Sequence, residues 1–111
     1  MLWRQSLRKM NNNKLLNMMG LAVRAGKLTA GTEAVTDKIK SGKGVYLVLI
    51  ASDVSQNTLK KIENCCMYYG AEYYVLEHTQ DDISHAIGKS YLTSSVAILD
   101  RNFADAIKKL I

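Results

Sequence analysis

The most constraining feature of this sequence is an uninterrupted apolar run from Val45 to Ala51, VYLVLIA. Apolar residues that do not alternate with polar ones are typical of a central strand whose two faces are both covered. The run is far too short to cross a bilayer, so it does not predict a membrane protein. A strand of this kind needs helices on both sides of its sheet.

The segments around this run alternate between helices and strands. Leu15, Met19 and Ala22 recur at helical spacing, and Gly26 lies where that helix would end. Alternation of this kind favours helices packed on both faces of one sheet. We therefore predict an α/β fold, a three-layer α/β/α sandwich with a central, mostly four-stranded mixed sheet. Strands are expected at 28–30, 45–51, 73–76 and 95–99, and the third helix at 55–69.

Three of the predicted helices begin with residues that cap helices well. Ser55 is a plausible N-cap of the third helix, and Asp100 is expected to cap the last one. Thr79 to Asp82 resembles a capping box in which Asp replaces Glu. These helix starts are therefore expected to satisfy their own backbone amides.

The length of 111 residues fits a single domain, expected at residues 12–111 after a basic N-terminal arm at residues 1–11. The arm lacks the apolar stretch of a secretory signal, so we expect the protein in the cytoplasm. Cys65 and Cys66 are adjacent, form no CxxC pair and have no histidine at ligand spacing. They are expected to be thiols on a partly buried helix face, and no metal or other cofactor is expected.

Positive charge is concentrated in the first part of the chain. Residues 1–43 carry nine Lys or Arg against two acids, a net charge of +7, whereas residues 44–111 carry six against eight, a net charge of −2. A one-sided positive field favours a polyanionic partner, and nucleic acid is the first class to consider. The alternative is an ordinary solvated helix face, which is what most runs of charge are.

The glycine at position 31 marks the best candidate binding site. Gly31 lets the backbone approach a partner closely, and the amides of Thr32, Glu33 and Ala34 would point at a phosphate or a base edge. The alternative is a plain helix start in which Gly31 only makes the turn. Around it we expect a cationic rim, with further polar contacts where the third helix starts and after Gly88. The candidates are Arg24, Lys27, Lys38, Lys40, Lys43, Asn57, Lys60, Lys61 and Lys89.

The remaining aromatic and histidine residues are weaker candidates. The pairs Tyr68-Tyr69 and Tyr73-Tyr74 are able to stack on bases, but tyrosines near strands more often fill the edge of a core. His78 and His85 are expected at the surface or at helix caps. No nucleophile accompanies them, so they do not predict acid–base catalysis.

Several motifs together resemble one known family. MGLAVRAGK at residues 19–27, the G-T-x-x-x-T-x-x-I-x-x-G frame from Gly31 to Gly42, LVLIASDVSQNTLKKI at residues 47–62 and HAIGKS at residues 85–90 are similar to the ribosomal protein L7Ae family. The similarity extends over roughly residues 12–108, about one domain. It is strongest to the bacterial branch of small L7Ae-like proteins.

The resemblance implies a non-enzymatic protein that binds structured RNA, commonly a kink-turn. In that family the RNA meets the N-terminal end of the second helix and the adjoining loops. By motif position this implies contacts from Gly31, Thr32, Glu33, Ala34 and Asp37, from the loop after residues 51–53, and from the loop of Tyr91, Leu92, Thr93 and Ser94.

The match departs from the kink-turn pattern at three positions. Kink-turn binders usually have Asn-Glu after the turn and Lys three positions later, whereas here the residues are Glu33, Ala34 and Asp37. A carboxylate at position 33 accepts hydrogen bonds from a guanine amino group but cannot donate as Asn does. Asp37 reverses a charge near phosphates. RNA binding is therefore a firmer expectation than kink-turn specificity.

Three function hypotheses follow. The leading one is a protein that binds structured RNA, with ribosomal RNA the expected class, in translation or ribosome assembly. The second is a protein-interaction module of the same fold that has lost kink-turn recognition. The third is a small nucleotide-using enzyme, which no GxxxxGK[ST] or GxGxxG motif supports. Neither a small-molecule substrate nor a membrane partner is expected.

Overall fold

The computed structural model describes the backbone of residues 2–111 and the side chains of residues 13–111. The side chains of the predicted basic arm at residues 1–11 lie outside the described part, so this arm stays a prediction. The described chain forms five helices and four strands. They are α1 (Leu2–Arg24), β1 (Leu28–Ala30), α2 (Thr32–Lys40), β2 (Leu47–Ile50), α3 (Gln56–Tyr69), β3 (Tyr73–Val75), α4 (Gln80–Ile87), β4 (Ser95–Ile98) and α5 (Arg101–Lys108).

The four strands form one mixed sheet in the order β1-β4-β2-β3, which confirms the predicted fold class. β2 is parallel to β3, and β4 is antiparallel to both β1 and β2. The carboxyl ends of β1, β2 and β3 therefore lie at the same end of the sheet as the amino end of β4. We call this the entry end, because α2, α3 and α4 follow those three strands.

The core lies on both faces of the sheet, as the apolar run predicted. Leu47 and Leu49 of β2 pack in the cluster that includes α1, α4 and α5, whereas Val48 and Ile50 pack in the cluster that includes α2 and α3. All four side chains are fully buried. Successive strand residues point to opposite faces, so an unbroken apolar sequence is what a doubly covered strand needs.

The predicted caps are present in the structure. The Ser55 side chain accepts a hydrogen bond from the Thr58 amide at the start of α3, and Asp100 accepts one from Phe103 at the start of α5. Thr79 and Asp82 form both hydrogen bonds of a capping box. Three of the helix entrances thus satisfy backbone amides with the protein's own side chains.

Both cysteines are buried free thiols on α3, and burial raises the pKa of Cys66 to about 11, with Cys65 and Glu63 contributing in the same direction. Such a thiol is almost entirely protonated near neutral pH. Among the described residues, no three His, Cys, Asp or Glu side chains come close enough together to hold a metal ion. No helix in the described part of the chain has the length and hydropathy needed to cross a bilayer.

Candidate nucleic-acid interface

The turn from β1 into α2 depends on the backbone of Gly31. Its φ of 99° and ψ of 151° fall in a region that only glycine adopts readily. A Cβ at this position would have no atom within 4 Å, so the side-chain space is open and the backbone conformation is the constraint. The Gly31 amide donates to the Ser95 carbonyl at 2.9 Å. β4 thus holds the turn in place at the entry end.

The first turn of α2 has no side-chain cap. In this it differs from α3, α4 and α5, whose entrances are closed by Ser55, Thr79 and Asp100. The first amides of a helix have no partner within the helix, and the helix dipole makes them attractive to anions. The amides of Thr32, Glu33 and Ala34 are therefore available to an outside acceptor.

Hydroxyl groups from distant parts of the chain support this turn. Thr32 Oγ1 lies 2.6 Å from Ser94 Oγ, which in turn lies 3.3 Å from Ser95 Oγ. Ser84 Oγ of α4 lies 2.6 Å from the Tyr91 carbonyl oxygen and 3.0 Å from Thr93 Oγ1, in the same loop as Ser94. The Thr32–Ser94 contact connects the entrance of α2 to this loop, which leads into β4.

The structure places Thr93 and Ser94 differently from the expectation of a partner-facing loop. Thr93 has no exposed surface and Ser94 retains 8%. The reason is that Thr93 and Ser94 lead directly into β4, a central strand of the sheet, which begins at Ser95. The two residues support the site from inside, whereas Tyr91 and Lys89, earlier in the loop, are exposed.

The Ser84–Thr93 pair makes a testable prediction about stability. Replacing Ser84 with Ala leaves the buried Thr93 hydroxyl without this partner, and we expect the free energy of unfolding to fall by about 1–3 kcal/mol. The double variant Ser84→Ala/Thr93→Val removes both hydroxyls and should recover the part of that loss due to the unpaired Thr93 hydroxyl, while the Tyr91 carbonyl still lacks the Ser84 hydroxyl. Urea denaturation of the wild type, both single variants and the double variant measures the coupling. Simple additivity of the two single effects would contradict the pairing.

The positive charge at the entrance of α2 comes from Lys61, which lies outside the basic first part of the chain at residues 1–43. Lys61 of α3 forms an exposed ion pair with the Glu33 carboxylate in the first turn of α2. The hydrogen bond and the charge of Lys61 lower the pKa of Glu33 below its ordinary value, with a smaller contribution from Lys40. From the sequence, Lys60 and Lys61 were both expected either to contact phosphate or only to keep the helix soluble. No local signal identifies Lys61, because the two residues of the pair are 28 positions apart.

The Glu33 pKa gives a second prediction. The side-chain carbon chemical shift of Glu33, followed by NMR from pH 2 to 7, should titrate below the ordinary value of 4.5. In Lys61→Gln the pKa should move up towards that value, because the cation and its hydrogen bond are gone. A folded-state pKa that is depressed contributes stability above the unfolded pKa, and this is lost as pH falls through the folded value. An unchanged pKa in Lys61→Gln would contradict the ion pair.

The predicted cationic rim does not surround the entrance of α2. The Leu99 amide bonds to the Lys27 carbonyl, so Lys27 lies at the end of β1 opposite Gly31. Arg24 Nε donates to the Gly20 carbonyl at 3.1 Å, and its side chain lies along α1 beside α4. Lys38 belongs to the last turn of α2, away from the entrance. The length of β1 separates Arg24 and Lys27 from Gly31, and the length of α2 separates Lys38 from it.

The other predicted residues lie near the entry end or on neighbouring surfaces. Asn57 and Lys60 are exposed on the first half of α3, and Ala34 and Asp37 are exposed on α2. After β2, Asp53 is already engaged, since its carboxylate accepts from the Gln80 amide at 2.8 Å. Contact between these residues and RNA stays a prediction.

The placement of His78 was predicted wrongly. The side chain is 7% exposed, and neither ring nitrogen has a hydrogen-bond partner among the described residues. Its carbonyl accepts from the Ser52 amide, which extends the β2–β3 pairing and draws the residue inward. His85 is exposed, as expected, and sits one turn after Asp81 on α4.

Comparison with known proteins agrees with this fold and this chain length. The model of the ribosomal protein L7Ae/L30e/S12e/Gadd45 family matches residues 13–108. The chain is 37% identical to the RNA-binding protein YlxQ of Enterococcus faecium over 101 residues, which cover 91% of this chain and 94% of that protein.

Solved structures show the same architecture. A protein with unknown function from Bacillus halodurans superposes with a TM-score of 0.80 at 31% identity, over 87% of this chain and 95% of that one. The 15.5 kD RNA-binding protein of Giardia lamblia superposes with a TM-score of 0.70 at 17% identity, over 92% and 91% of the two chains. On the match to its sequence model and the similarity of these relatives, the chain belongs to the ribosomal protein L7Ae/L30e/S12e/Gadd45 family.

Proposed function

We propose that this protein binds structured RNA at the entrance of α2 and carries out no chemistry itself. The observation that carries the proposal is the uncapped first turn of α2, held open by the glycine-only backbone of Gly31. Exposed amides at a helix start suit phosphate oxygens and base acceptors. The relative from Enterococcus faecium is named an RNA-binding protein, which supports the same partner class here.

The RNA contacts fall into two groups. The amides of Thr32 to Ala34 and the carboxylate of Glu33 face the RNA bases or backbone at the turn. Lys60, Lys61 and Lys89 are exposed on α3 and on the loop after α4, where they contact phosphates. Tyr91, in the same loop, is 58% exposed and suits stacking on an unpaired base.

The proposed class of RNA is supported by this chemistry and by the family. Glu33 is able to accept hydrogen bonds from a guanine amino group, which is compatible with sheared G·A pairs. One helical turn further on, Asp37 stands where kink-turn binders have a Lys. We propose ribosomal RNA or a similarly folded RNA as the partner, bound in the cytoplasm during translation or ribosome assembly. Lys61 of α3 places a cation beside Glu33, in the first turn of α2, which has no Lys or Arg of its own.

A protein-interaction module is the second candidate function. Glu33, Ala34 and Asp37 favour it, because these residues replace the Asn, Glu and Lys of kink-turn binders. In that case the exposed acids would pair with positive groups of a protein partner, and the open amides of α2 would donate hydrogen bonds to one of its carboxylates.

A glycine substitution distinguishes these functions. Gly31→Ala forces a side chain into a backbone region that costs about 1–3 kcal/mol, so the turn must rebuild and the amides of Thr32 to Ala34 move. We expect about a 10-fold loss of affinity for a kink-turn RNA and for total cellular RNA in filter binding. Gly26→Ala is the matched control, because Gly26 also has a positive φ of 71° but lies after α1, at the opposite end of β1. No RNA retention by the folded wild type would favour the interaction module, and equal retention by wild type and Gly31→Ala would mean that RNA binds away from the entrance of α2.

A further inference from the structure

A groove between α2 and α3 adjoins the entrance of α2 and extends beyond the site described above, with which it shares Lys61. We call it the α2–α3 groove, and it has a volume of about 330 Å³. Its floor includes the buried residues Thr36 and Cys65. Its sides carry the polar and aromatic groups Lys40, Lys61, Asn64, Tyr68 and Tyr69.

The two tyrosines of this groove are exposed. Tyr68 is 82% exposed and Tyr69 is 46% exposed, although tyrosines near a strand usually fill the edge of a core. Their rings meet edge to face, with centroids 4.9 Å apart and planes at 68°. The edge-to-face contact with Tyr69 helps to fix the orientation of the Tyr68 ring and leaves most of its surface to solvent. An exposed, oriented ring of this kind is suited to stacking on a nucleic-acid base.

Cations accompany these rings. Lys40 and Lys61 line the α2–α3 groove, and Lys43 lines a neighbouring depression that shares Tyr69. Among the described residues, neither lining contains an acid. Glu33, at the entrance of α2, is paired with Lys61. Three lysines beside two aromatic rings match the phosphates and bases of a single strand.

The groove is continuous with the proposed RNA site. Lys61 belongs to both, because it lines the groove and pairs with Glu33 in the first turn of α2. From Thr32 to Lys40, α2 rises about 12 Å, which is the path that a strand leaving the entrance would follow. A strand of RNA uses both features of the groove, since its phosphates pair with the lysines and a base stacks on the exposed face of Tyr68.

We propose that the α2–α3 groove binds an unpaired RNA strand that flanks the structured RNA. One base stacks on Tyr68, and the phosphates on either side lie against Lys40, Lys43 and Lys61. The inference rests on the proposed RNA-binding function for the class of ligand. It adds a second contact region, which recognises a single strand with little sequence preference because every base has a stacking face.

The test uses a fluorescein-labelled ten-nucleotide oligouridine, which has no stable secondary structure, and fluorescence anisotropy with the full chain. Tyr68→Ala should weaken binding about 10-fold, whereas Tyr68→Phe retains the ring and should stay within about 2-fold of the wild type. Met67→Ala is the control, since Met67 is an exposed neighbour on α3 that does not line the groove. Lys40→Gln/Lys43→Gln should weaken binding and flatten its salt dependence.

A second measurement separates this inference from the proposed function. A kink-turn RNA is compared with the same RNA carrying a ten-uridine tail. Tyr68→Ala should remove the affinity gained from the tail, and Gly31→Ala should weaken binding of the tailless RNA. If oligouridine does not bind, or if Tyr68→Ala and Lys40→Gln/Lys43→Gln bind it like the wild type, the strand-binding groove is wrong. Binding of the tailless RNA would then still support the entrance of α2, and a protein partner would be the remaining occupant of the groove.

Discussion

Raising the KCl concentration fourfold, from about 50 to 200 mM, is expected to weaken binding of a kink-turn RNA by about 40- to 150-fold. The estimate assumes about three or four phosphate contacts, each releasing close to one counterion. Lys60, Lys61 and Lys89 supply the contacts near the entry end, and Lys40 in the α2–α3 groove adds a fourth when an unpaired strand is present. Fluorescence anisotropy titrations at five salt concentrations give the slope of log affinity against log salt.

The control for this result is a pair of lysine substitutions. Lys60→Gln/Lys89→Gln should reduce the slope by about 2, because each removed phosphate contact lowers it by about 1. Arg24→Gln/Lys27→Gln has the same change in charge, but both residues lie away from the entrance of α2. It should therefore change the slope much less. A flat salt response in the wild type would contradict phosphate binding as the source of affinity.

The largest expected effect on stability comes from Ile62. Its side chain has no exposed surface and packs in the cluster between α3, α2 and the sheet, with Val35, Val48 and Ile50 among its members. Ile62→Ala removes three carbon atoms and leaves a cavity, so we expect the free energy of unfolding to fall by about 2–5 kcal/mol. Urea denaturation followed by circular dichroism measures the change.

Two further variants make this measurement specific. Ile62→Val removes a single methylene group and should cost about 0.5–1.5 kcal/mol. Val75→Ala changes an aliphatic residue that is 49% exposed on the edge strand β3 and should stay within about 0.5 kcal/mol of the wild type. A loss below about 1 kcal/mol for Ile62→Ala would mean that α3 repacks against the sheet, and the assignment of this cluster as a tightly packed core would be wrong.

The fold was predictable from local patterns. The run from Val45 to Ala51 indicated a strand covered on both faces, and the structure places Leu47–Ile50 between two clusters of buried side chains. The capping residues Ser55, Thr79 and Asp100 were also identified from sequence, because a cap depends on residues within one helical turn. Gly31 was identified for the same reason, since a turn conformation is a local property.

The arrangement of charges around the site was less predictable. Net charge along the chain suggested that Arg24, Lys27 and Lys38 lie around Gly31, but the sheet register puts Lys27 at the opposite end of β1. Charge counts along a sequence contain no information on which end of a strand or helix a residue occupies in the fold.

By itself, the sequence determined the order of helices and strands, the caps, the two-sided burial of β2 and the glycine turn before α2. Each of these depends on residues that are close in the chain. Only the tertiary structure decided that Lys61 pairs with Glu33, that Thr93 is buried against Ser84, and that Tyr68 stays exposed beside Lys40. These contacts join different elements, and their geometry depends on how α2, α3 and β4 pack on one sheet.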